Sequence, residues 1–214
     1  MNVIKTKIDG VLIIEPKVFG DNRGYFFESF SQREFDEKVT PILGHKINFV
    51  QDNESMSTYG VRRGLHFQRP PFAQSKLVRC VKGAVLDVVV DIRKGSPTYG
   101  QHVSCLLCGH DEEGARIAKQ FGNSITDNRS PLTGKIGLQF FLPKGFAHGF
   151  AVLSDTAIFQ YKCDEFYHPE AEGGISILDD SLGIDWHIPT DKAILSEKDT
   201  HHPLFNDFDS PFNI

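Results

Sequence analysis

Short runs in which apolar and polar residues alternate dominate this chain. The clearest is residues 85–92, where the even positions are all apolar and the odd positions mix valine with Asp87 and Asp91. Alternation with a period of two predicts a strand, because successive side chains point to opposite faces of a sheet. A strand with one apolar and one mixed face suits a barrel whose interior holds a polar ligand. The other predicted strands are residues 77–82, 138–142, 150–153 and 157–163.

Turn-forming residues separate these runs, as at residues 95–97. Many short strands with frequent turns are typical of a β-sandwich or β-barrel. Helix is predicted in only two places. Ser31 and Glu34 form a capping box, which predicts a helix over residues 31–39, and a second short helix is predicted near residues 112–120. The predicted fold class is therefore mainly β with a few short helices.

The length and composition fit one ordinary domain. The chain has 214 residues, and its 40% hydrophobic residues are enough for a packed core. Because no repeat or linker is evident, we predict a single jelly-roll domain over residues 1–214, with a loop excursion at about residues 108–135 where alternation fades. A net charge of −5 argues against a nucleic-acid surface but allows a local basic pocket for a phosphate.

The N-terminal residues and the cysteines predict the compartment. Lys5, Lys7 and Asp9 interrupt the first apolar run, so it does not resemble a signal peptide, and no stretch approaches the roughly 20 apolar residues of a membrane span. Four cysteines in a chain without an export signal are expected to be free thiols. We therefore predict a cytoplasmic protein that does not bind membranes.

Two histidines lie in motifs that resemble the paired motifs of the cupins. His148 ends a Gly–Pro–Gly–His pattern over residues 137–148 that has the spacing of the later motif. The earlier motif retains His66, but Gln68 replaces its second histidine, and Phe and Ala at residues 72–73 replace its glutamate. Two histidines are too few for a metal site, because three or four protein ligands are the norm. We predict a cupin-like jelly-roll barrel that keeps its shape without a metal.

An isolated histidine on a strand is most simply a core residue. Around His66, however, the chain also places Arg62, Arg63, Gln68 and Lys76. Such a density of polar side chains on strands is costly unless a ligand or water satisfies them. This stretch is therefore interpreted as part of a site.

Seven motifs, in order, resemble those of the dTDP-4-dehydrorhamnose 3,5-epimerase family. The resemblance runs from about residue 11 to the tail and fails only near residues 108–135. The motifs are DNRGYFFE at 21–28, QDN at 51–53, RGLHFQ at 63–68, QSKLVR at 74–79, GFAHGF at 145–150, YKC at 161–163 and LSEKD at 195–199.

The resemblance implies an isomerase that acts on a nucleotide-linked 4-keto-6-deoxyhexose. The family converts dTDP-4-dehydro-6-deoxy-D-glucose to dTDP-4-dehydro-L-rhamnose by epimerising C3 and C5. The protons on both carbons are acidic because each carbon adjoins the C4 carbonyl. A base removes a proton, an enolate forms, and an acid returns a proton to the other face, so neither a metal nor a redox cofactor is implied.

The resemblance also assigns catalytic roles. His66 is implied to be the base, since an imidazole with an ordinary pKa of about 6.5 is largely neutral at cytoplasmic pH. Asp199 is implied to orient His66 and stabilise its protonated form. Tyr161 is implied to be the acid on the opposite face. Lys76 is implied to stabilise the enolate oxygen.

Further residues are implied to bind the substrate. Arg63 and His148 are expected near the sugar and diphosphate. Tyr167 is expected to stack on the base, with a core or rim position as the alternative reading for it and for Phe166. The remaining expected contacts to the nucleotide are Arg23, Glu28, Gln51, Asn53, Glu172 and Lys198. Arginine suits bidentate recognition of an anion.

A homodimer is also implied. The N-terminal region of the family often crosses to a partner subunit. Arg23 and Glu28 are therefore expected to serve the site of the neighbouring chain, with Glu28 as an acceptor beside the thymine.

A second histidine–cysteine cluster is discounted. His102, Cys105, Cys108 and His110 have a spacing that could hold zinc. Residues 102–107 read as a strand, however, in which the odd spacing places His102 and Cys105 on opposite faces. One Cys-x-x-Cys without a second pair is also a weak zinc signature. We expect buried thiols and surface histidines instead.

Three segments are not assigned to the site: residues 111–113, the excursion after Leu107 and the C-terminal tail. Residues 111–113 are predicted to be a solvated turn. The excursion after Leu107 is roughly twenty-five residues longer than the usual hairpin, beyond normal loop lengths. The tail that begins with His201 and His202 is predicted to be a surface strap. Its predicted anchors are Phe205, Phe208 and Phe212.

Three alternatives to the two-carbon epimerase remain open. One is a single-carbon 3- or 5-epimerase, in which the same His66, Lys76 and Asp199 would serve and the position of Tyr161 would decide. Another is a metal-dependent cupin enzyme. The replacement of two expected metal ligands, at residue 68 and at residues 72–73, argues against it. The third, from a different class, is a non-catalytic barrel that binds nucleotide sugars without proton exchange.

Overall fold

The structure is a computed structural model that describes residues 1–121 and 135–214. Strands β1 to β8 are Asn2–Lys5, Leu12–Glu15, Val18–Asp21, Gly24–Phe27, Gln51–Thr58, Arg62–Gln68, Lys76–Lys82 and Ala84–Asp91. Strands β9 to β15 are Arg93–Lys94, His102–Cys108, Gln139–Leu142, Phe146–Val152, Thr156–Cys163, Glu172–Gly174 and Phe212–Asn213.

Helix is confined to short segments. The α-helices α1 to α3 are Gln32–Lys38, Thr40–Leu43 and Glu112–Phe121. The 3-10 turns are Pro169–Ala171, Asp180–Leu182, Thr190–Lys192, Lys198–Thr200 and Phe205–Asp207. The prediction of a mainly β chain with a few short helices is confirmed. Within the described ranges, no helix is both long and apolar enough to cross a bilayer.

Two antiparallel sheets form the barrel. The larger has the strand order β1-β2-β11-β7-β13-β5, and the smaller has the order β10-β8-β12-β6-β14. From β5 to β8 and from β10 to β14, consecutive strands in the chain lie in opposite sheets. This alternation between two sheets is the jelly-roll arrangement. It brings β6 and β13, which the chain separates widely, to opposite walls of one interior.

Three apolar clusters hold these layers together. The first fills the space between the two sheets and includes Val78, Phe140 and Phe159. The second lies outside the smaller sheet, where α3 and the C-terminal segment cover it, and includes Trp186. The third lies outside the larger sheet under α1 and includes Phe35. Because both faces of each sheet are covered, large parts of the central strands are buried on both sides.

Strand β8 shows the effect of this double covering. All eight of its residues are buried, with the even positions in the outer cluster and Val85 and Val89 in the barrel interior. The two acidic residues of the mixed face have different roles. Asp87 points into the interior, whereas Asp91 accepts hydrogen bonds from Arg93 and from hydroxyl groups of the following turn. The expectation of a polar lumen therefore holds for Asp87 and not for Asp91.

The predicted helices form where the local signals lie. The Ser31 side chain caps α1 by accepting from the Glu34 backbone N–H. Helix α3 falls on the second predicted helix, and the reading of residues 111–113 as a solvated turn is wrong. Asp111 accepts from the backbone N–H of Gly83, and Glu113 lies in the first turn of α3. Of the predicted excursion, residues 122–134 lie outside the described residues.

Four of the five predicted strands have observed bounds within one residue of the prediction at each end, and the three predicted anchors of the tail pack as expected. The strand predicted at 150–153 begins four residues earlier, at Phe146, because this part of β12 is buried although it holds alanine, histidine and glycine. In the tail, Phe212 is buried, and Phe205 and Phe208 pack against the outer cluster of the smaller sheet. The tail ends in β15, which pairs in parallel with β9.

Candidate active site

His66 faces the barrel interior from the smaller sheet. Its neighbours Leu65 and Phe67 belong to the outer cluster of that sheet, so the strand alternation directs His66 to the other side. In the register of the sheet, His66 lies directly opposite His148 of β12. Its side chain keeps 28% exposure, which leaves it accessible from the mouth of the barrel.

A buried carboxylate holds the His66 ring. The Nε2 atom of His66 lies 2.5 Å from Oδ1 of Asp199, which sits in the 3-10 turn Lys198–Thr200. Burial alone would raise the pKa of Asp199, but the hydrogen bond and charge of His66 outweigh it and the pKa is lowered. Asp199 therefore stays ionised. Because Nε2 is bonded to the carboxylate, Nδ1 is the ring nitrogen that is left to accept a proton.

The opposite wall of the barrel supplies Lys76 and Tyr161. These side chains lie on the neighbouring strands β7 and β13 of the larger sheet. The Nζ atom of Lys76 is 5.7 Å from the centre of the Tyr161 ring. Burial lowers the pKa of Lys76 and raises the pKa of Tyr161. The phenol therefore keeps its proton at neutral pH and remains able to donate it.

His148 forms a second histidine–carboxylate pair, deeper in the interior. Its Nε2 lies 3.0 Å and 3.1 Å from the two carboxylate oxygens of Asp87. Burial raises the pKa of Asp87 and lowers the pKa of His148. Sequence reasoning expected His148 near the sugar but did not find its bond to Asp87. The only available signal was the position of Asp87 on the mixed face of its strand.

A connected polar network lies at the rim. The Gln51 side chain donates to Asn53 and accepts from the backbone N–H of Tyr167, at 3.0 Å and 3.1 Å. The Tyr167 hydroxyl donates to Glu172 at 2.7 Å, and this bond raises the pKa of Tyr167 to about 12. Glu172 also pairs with Lys198. The structure thus brings together five of the residues expected to bind the nucleotide.

Two aromatic side chains and one basic side chain at this rim are solvent-accessible. The rings of Tyr167 and Phe166 are exposed, so of the two alternatives a position at the rim, and not in the core, describes them. Arg63 is exposed as well, and its Nε donates to the Ser57 hydroxyl at 3.2 Å.

Arg23 and Glu28 are not part of this network within the chain. Arg23 lies on the exposed hairpin of β3 and β4 and pairs with Asp21 at 2.6 Å. Glu28 lines a cavity of about 300 Å³ together with Leu77 and residues of α1. Leu77 belongs to the cluster outside the larger sheet, so this cavity lies on the side of that sheet that faces away from His66.

His202 is a member of the site that sequence reasoning missed. The prediction placed it on a surface strap, but its side chain is only 14% exposed. Its ring lies edge-on to the His66 ring with centroids 5.5 Å apart, and its Nε2 is 3.9 Å from Oδ1 of Asp199. Burial lowers the pKa of His202, and the nearby His66 adds to this effect. The available signal was its position three residues after Asp199, just beyond the 3-10 turn Lys198–Thr200.

The discounted histidine–cysteine cluster does not assemble. Cys105 and Cys108 are buried free thiols, as predicted. The expectation that His110 is a surface residue is wrong. Its ring stacks on the Tyr25 ring with centroids 4.2 Å apart, and its Nε2 atom is buried. Over residues 1–121 and 135–214, the group of three possible ligand side chains that does assemble is His66, Asp199 and His202.

Comparison with known proteins places this geometry in a family. The sequence profile described as dTDP-4-dehydrorhamnose 3,5-epimerase matches residues 5–130 and 126–207. The chain belongs to the dTDP-4-dehydrorhamnose 3,5-epimerase family. It is 48% identical over 209 residues to the enzyme of that name from Shigella flexneri, with 98% of each chain covered. The Escherichia coli K12 enzyme is 49% identical over 199 residues, covering 93% of this chain and 91% of the relative.

Solved structures of the family have the same fold. The 3,5-epimerase of Legionella pneumophila, in complex with dTDP-4-keto-L-rhamnose, matches with a TM-score of 0.78 and 45% identity over 97% of this chain and 94% of that chain. ChmJ, a 3'-monoepimerase of Streptomyces bikiniensis in complex with dTDP-quinovose, matches with a TM-score of 0.73 and 30% identity over 94% of this chain and 86% of that chain. The prediction of the family from seven short motifs is therefore confirmed.

Proposed function

We propose that this chain epimerises both C3 and C5 of dTDP-4-dehydro-6-deoxy-D-glucose, giving dTDP-4-dehydro-L-rhamnose. The observation that carries the proposal is the placement of His66 and Tyr161 on opposite sheets of one barrel. A sugar ring held between the sheets has the base on one face and the acid on the other. Inversion of a carbon centre requires this arrangement, since the proton must leave one face and return to the other.

Proton removal is assigned to Nδ1 of His66. The hydrogen bond to Asp199 fixes the ring, and the adjacent negative charge stabilises the imidazolium that forms. The proton leaves a carbon beside the C4 carbonyl, and the electron pair moves onto the carbonyl oxygen. A positioned general base contributes about 10²- to 10⁴-fold to such a step.

Stabilisation of the enolate is assigned to Lys76. The Lys76 side chain is half-buried on the wall of the barrel, where an interaction with a developing negative charge is stronger than in water. Tyr161 then donates its phenolic proton to the carbon from the opposite face. The short distance between Lys76 and the Tyr161 ring allows both side chains to reach the same sugar.

Binding of the dTDP group is assigned to the rim. The exposed Tyr167 ring is available to stack on a base, and its hydroxyl is held by Glu172. Lys198 and Arg63 provide positive charge for the diphosphate. Lys198 directly precedes Asp199, so nucleotide binding and the orientation of His66 depend on the same 3-10 turn.

A single-carbon epimerase is the second candidate, because a 3'-monoepimerase is among the solved structures with this fold. Its lower identity to this chain, 30% against 45% for the Legionella enzyme, favours the two-carbon reaction. A metal-dependent cupin is disfavoured by the bonds of Gln68, which replaces the second histidine. This buried amide donates to the carbonyls of Phe72 and Phe166 and thereby connects two loops.

Proton NMR in deuterated water with dTDP-4-dehydro-6-deoxy-D-glucose tests the proposal. We expect the C3 and C5 proton signals both to disappear, with new coupling patterns that report L-rhamnose stereochemistry. Exchange at one carbon only would identify the narrower enzyme. Tight dTDP binding without any exchange would identify a binding protein and contradict the proposal.

We further propose a homodimer in which the hairpin of β3 and β4 completes the site of the partner. The hairpin exposes the large apolar side chains of Phe19, Tyr25 and Phe26. Exposed apolar groups on one small element are typical of an interface. The positions of Arg23 and Glu28, away from His66 of their own chain, agree with a role in the neighbouring site.

The proposal extends to the organisation and location of the chain. We propose that residues 1–214 form one jelly-roll domain, in which the excursion near residues 108–135 is an insertion. A cytoplasmic location is supported by the four cysteines, which are all free thiols.

A further inference from the structure

We propose that His66, Asp199 and His202 form a binding site for a divalent transition metal ion such as Zn²⁺, and that the bound ion inhibits proton exchange. The inhibition rests on the proposed role of His66 as the base. The binding of the ion does not, because it depends only on the three side chains.

The geometry of the three side chains suits an ion. One ligand atom from each residue lies within 4.8 Å of the other two. Ligands about 2.1 Å from a tetrahedral zinc are roughly 3.4 Å apart. The 2.5 Å contact between His66 and Asp199 would open slightly, and the 3.9 Å separation between Asp199 and His202 would close slightly.

His202 provides an independent observation. Its Nε2 is buried and has no hydrogen-bond partner, although a buried polar nitrogen normally has one. The ring lies against Gly174 of β14, where an added Cβ would be 2.5 Å from Nε2 and from Cε1 of His202. Gly174 pairs with His66 in the sheet. The missing side chain at Gly174 therefore allows the His202 ring to lie beside the His66–Asp199 pair, with its unpartnered nitrogen near Asp199.

The donor set selects the class of ion. Two imidazoles and one carboxylate are a common protein ligand set for zinc, with the fourth position open to water or substrate. Imidazole nitrogen favours zinc, copper, nickel or iron over magnesium and calcium, which prefer oxygen ligands. Zn²⁺ and Co²⁺ are therefore the probes, and Mg²⁺ is the expected non-binder.

Inhibition follows from the tautomer of His66. A neutral imidazole that binds a metal through Nε2 carries its proton on Nδ1. Nδ1 is the nitrogen assigned to accept the sugar proton, so the bound ion leaves His66 without a free lone pair. The ion also neutralises Asp199, which otherwise stabilises the imidazolium.

Direct titration of the untagged protein with Zn²⁺ by calorimetry tests the site. We expect one ion per chain, reversal by EDTA, and visible absorption bands of a low-coordinate site when Co²⁺ is used. His202→Gln removes one ligand and keeps the size and polarity of the side chain. We expect it to weaken Zn²⁺ binding by about 100-fold or more, since loss of even an outer-shell partner costs about 10- to 100-fold.

His201→Gln is the matched control, because His201 is the exposed neighbour of His202. It should bind Zn²⁺ as the wild type does. Circular dichroism of both variants shows whether each folds as the wild type does. Zn²⁺ affinity that is unchanged in folded His202→Gln, or that His201→Gln lowers equally, would overturn the proposal.

The rate of sugar C–H exchange at increasing Zn²⁺ separates the two claims. We expect Zn²⁺ to slow exchange in the wild type and in His201→Gln, and to slow it only at about 100-fold higher concentration in His202→Gln. Zn²⁺ binding that requires His202 but leaves the exchange rate unchanged would support the metal site and contradict the role of His66 as the base.

Discussion

At the residue scale, two histidine–carboxylate pairs lie side by side but differ in environment. His148 and Asp87 are deeply buried, and burial disfavours the charged form of each, as the directions of both pKa shifts indicate. Asp199 is also buried, but the hydrogen bond from His66 lowers its pKa. Of these two pairs, His66 and Asp199 combine a carboxylate of lowered pKa with an accessible ring, which is the combination that general-base catalysis requires.

Asp199→Asn tests the carboxylate. Removing the charge beside His66 should lower kcat by about 10²- to 10⁴-fold, because a positioned general base contributes a rate acceleration of that size and His66 would lose most of it. Substrate affinity measured by calorimetry should change little, because asparagine keeps the size of the side chain and leaves Lys198 of the same turn in place. A kcat within a factor of a few of the wild type would contradict the role of Asp199.

Asp199→Asn should also change how the stability of the fold depends on pH. The folded pKa of Asp199 is lowered from its ordinary 3.8, so its ionisation stabilises the fold above that pH and the effect disappears as the pH falls through the folded value. Denaturant titrations should therefore show the wild type more stable than Asp199→Asn at pH 6. The difference should shrink below about pH 4. A difference that grows at low pH would contradict this sign.

Lys76→Met tests the cation beside the enolate. Loss of its ammonium group should lower kcat by about 10²- to 10³-fold, as for removal of one donor to an oxyanion. The control is Lys82→Met at the exposed end of the same strand, which should leave kcat unchanged.

Lys76 also sets a pH limit. Burial lowers its pKa from the ordinary 10.5, so the wild-type rate should decline at an alkaline pH below that value as the ammonium loses its proton. A rate profile that stays flat up to pH 10.5 would contradict a charged Lys76 in the reaction.

The sequence could predict individual site residues only through motifs. His66 and Asp199 are 133 residues apart, and no spacing rule joins them, so their pairing came from the family resemblance. His202 belongs to none of the matched motifs and was missed, and the bond between Asp87 and His148 was not predicted, although Asp87 was expected to face the interior. The contacts of His202 with His66 and of Asp87 with His148 join elements that are far apart in the chain, and local patterns do not reveal such contacts.

At the element scale, the close approach of β6 and β12 positions His66 opposite His148. The register shifts between His148 and Phe150, where Gly64 and Gly149 face each other. A Cβ on Gly64 would lie 2.5 Å from Cα of Gly149, and the φ of Gly64 is +123°. Only glycine at this position permits both the backbone conformation and the separation of the strands.

Gly64→Ala should therefore destabilise the fold more than Gly44→Ala. Both positions have positive φ, which costs alanine roughly 1–2 kcal/mol, but nothing lies within 4 Å of a Cβ on Gly44. The clash at Gly64 should add about 1–3 kcal/mol. Thermal unfolding of the two variants measures the difference, and equal losses would show that the strand contact does not matter.

Local patterns predicted elements well where one signal dominated. The capping box at Ser31 and the alternation of residues 157–163 each correspond to an observed element. The start of β12 was missed because tertiary burial, and not alternation, makes it a strand. The double burial of β8 was missed for a related reason, since the sequence of one strand does not reveal that both faces of its sheet are covered.

At the scale of the whole molecule, the proposed homodimer depends on the hairpin of β3 and β4. Its apolar side chains are exposed in the single chain, and Arg23 and Glu28 lie away from His66. Phe26→Asp should shift the mass in analytical ultracentrifugation from twice 24.0 kDa to a single chain. A wild-type protein that sediments as a monomer would contradict the proposed dimer.

Complementation tests whether the hairpin serves the partner. Arg23→Ala and His66→Ala should each be impaired alone. When co-expressed, they should form a mixed dimer with one complete site, built from His66 of one chain and Arg23 of the other. Recovered activity in the purified mixed dimer supports the exchange of hairpins. Absence of recovery would mean that Arg23 acts on its own chain.

The central claim is that a base and an acid act from opposite walls of one barrel. The most direct measurement follows C5–H exchange and inversion together, by NMR in deuterated water, in His66→Ala and Tyr161→Phe. We expect His66→Ala to lose both by about 10²- to 10⁴-fold, and Tyr161→Phe to retain exchange while inversion falls. Exchange that persists in His66→Ala, or that is lost with inversion to the same degree in Tyr161→Phe, would contradict the account.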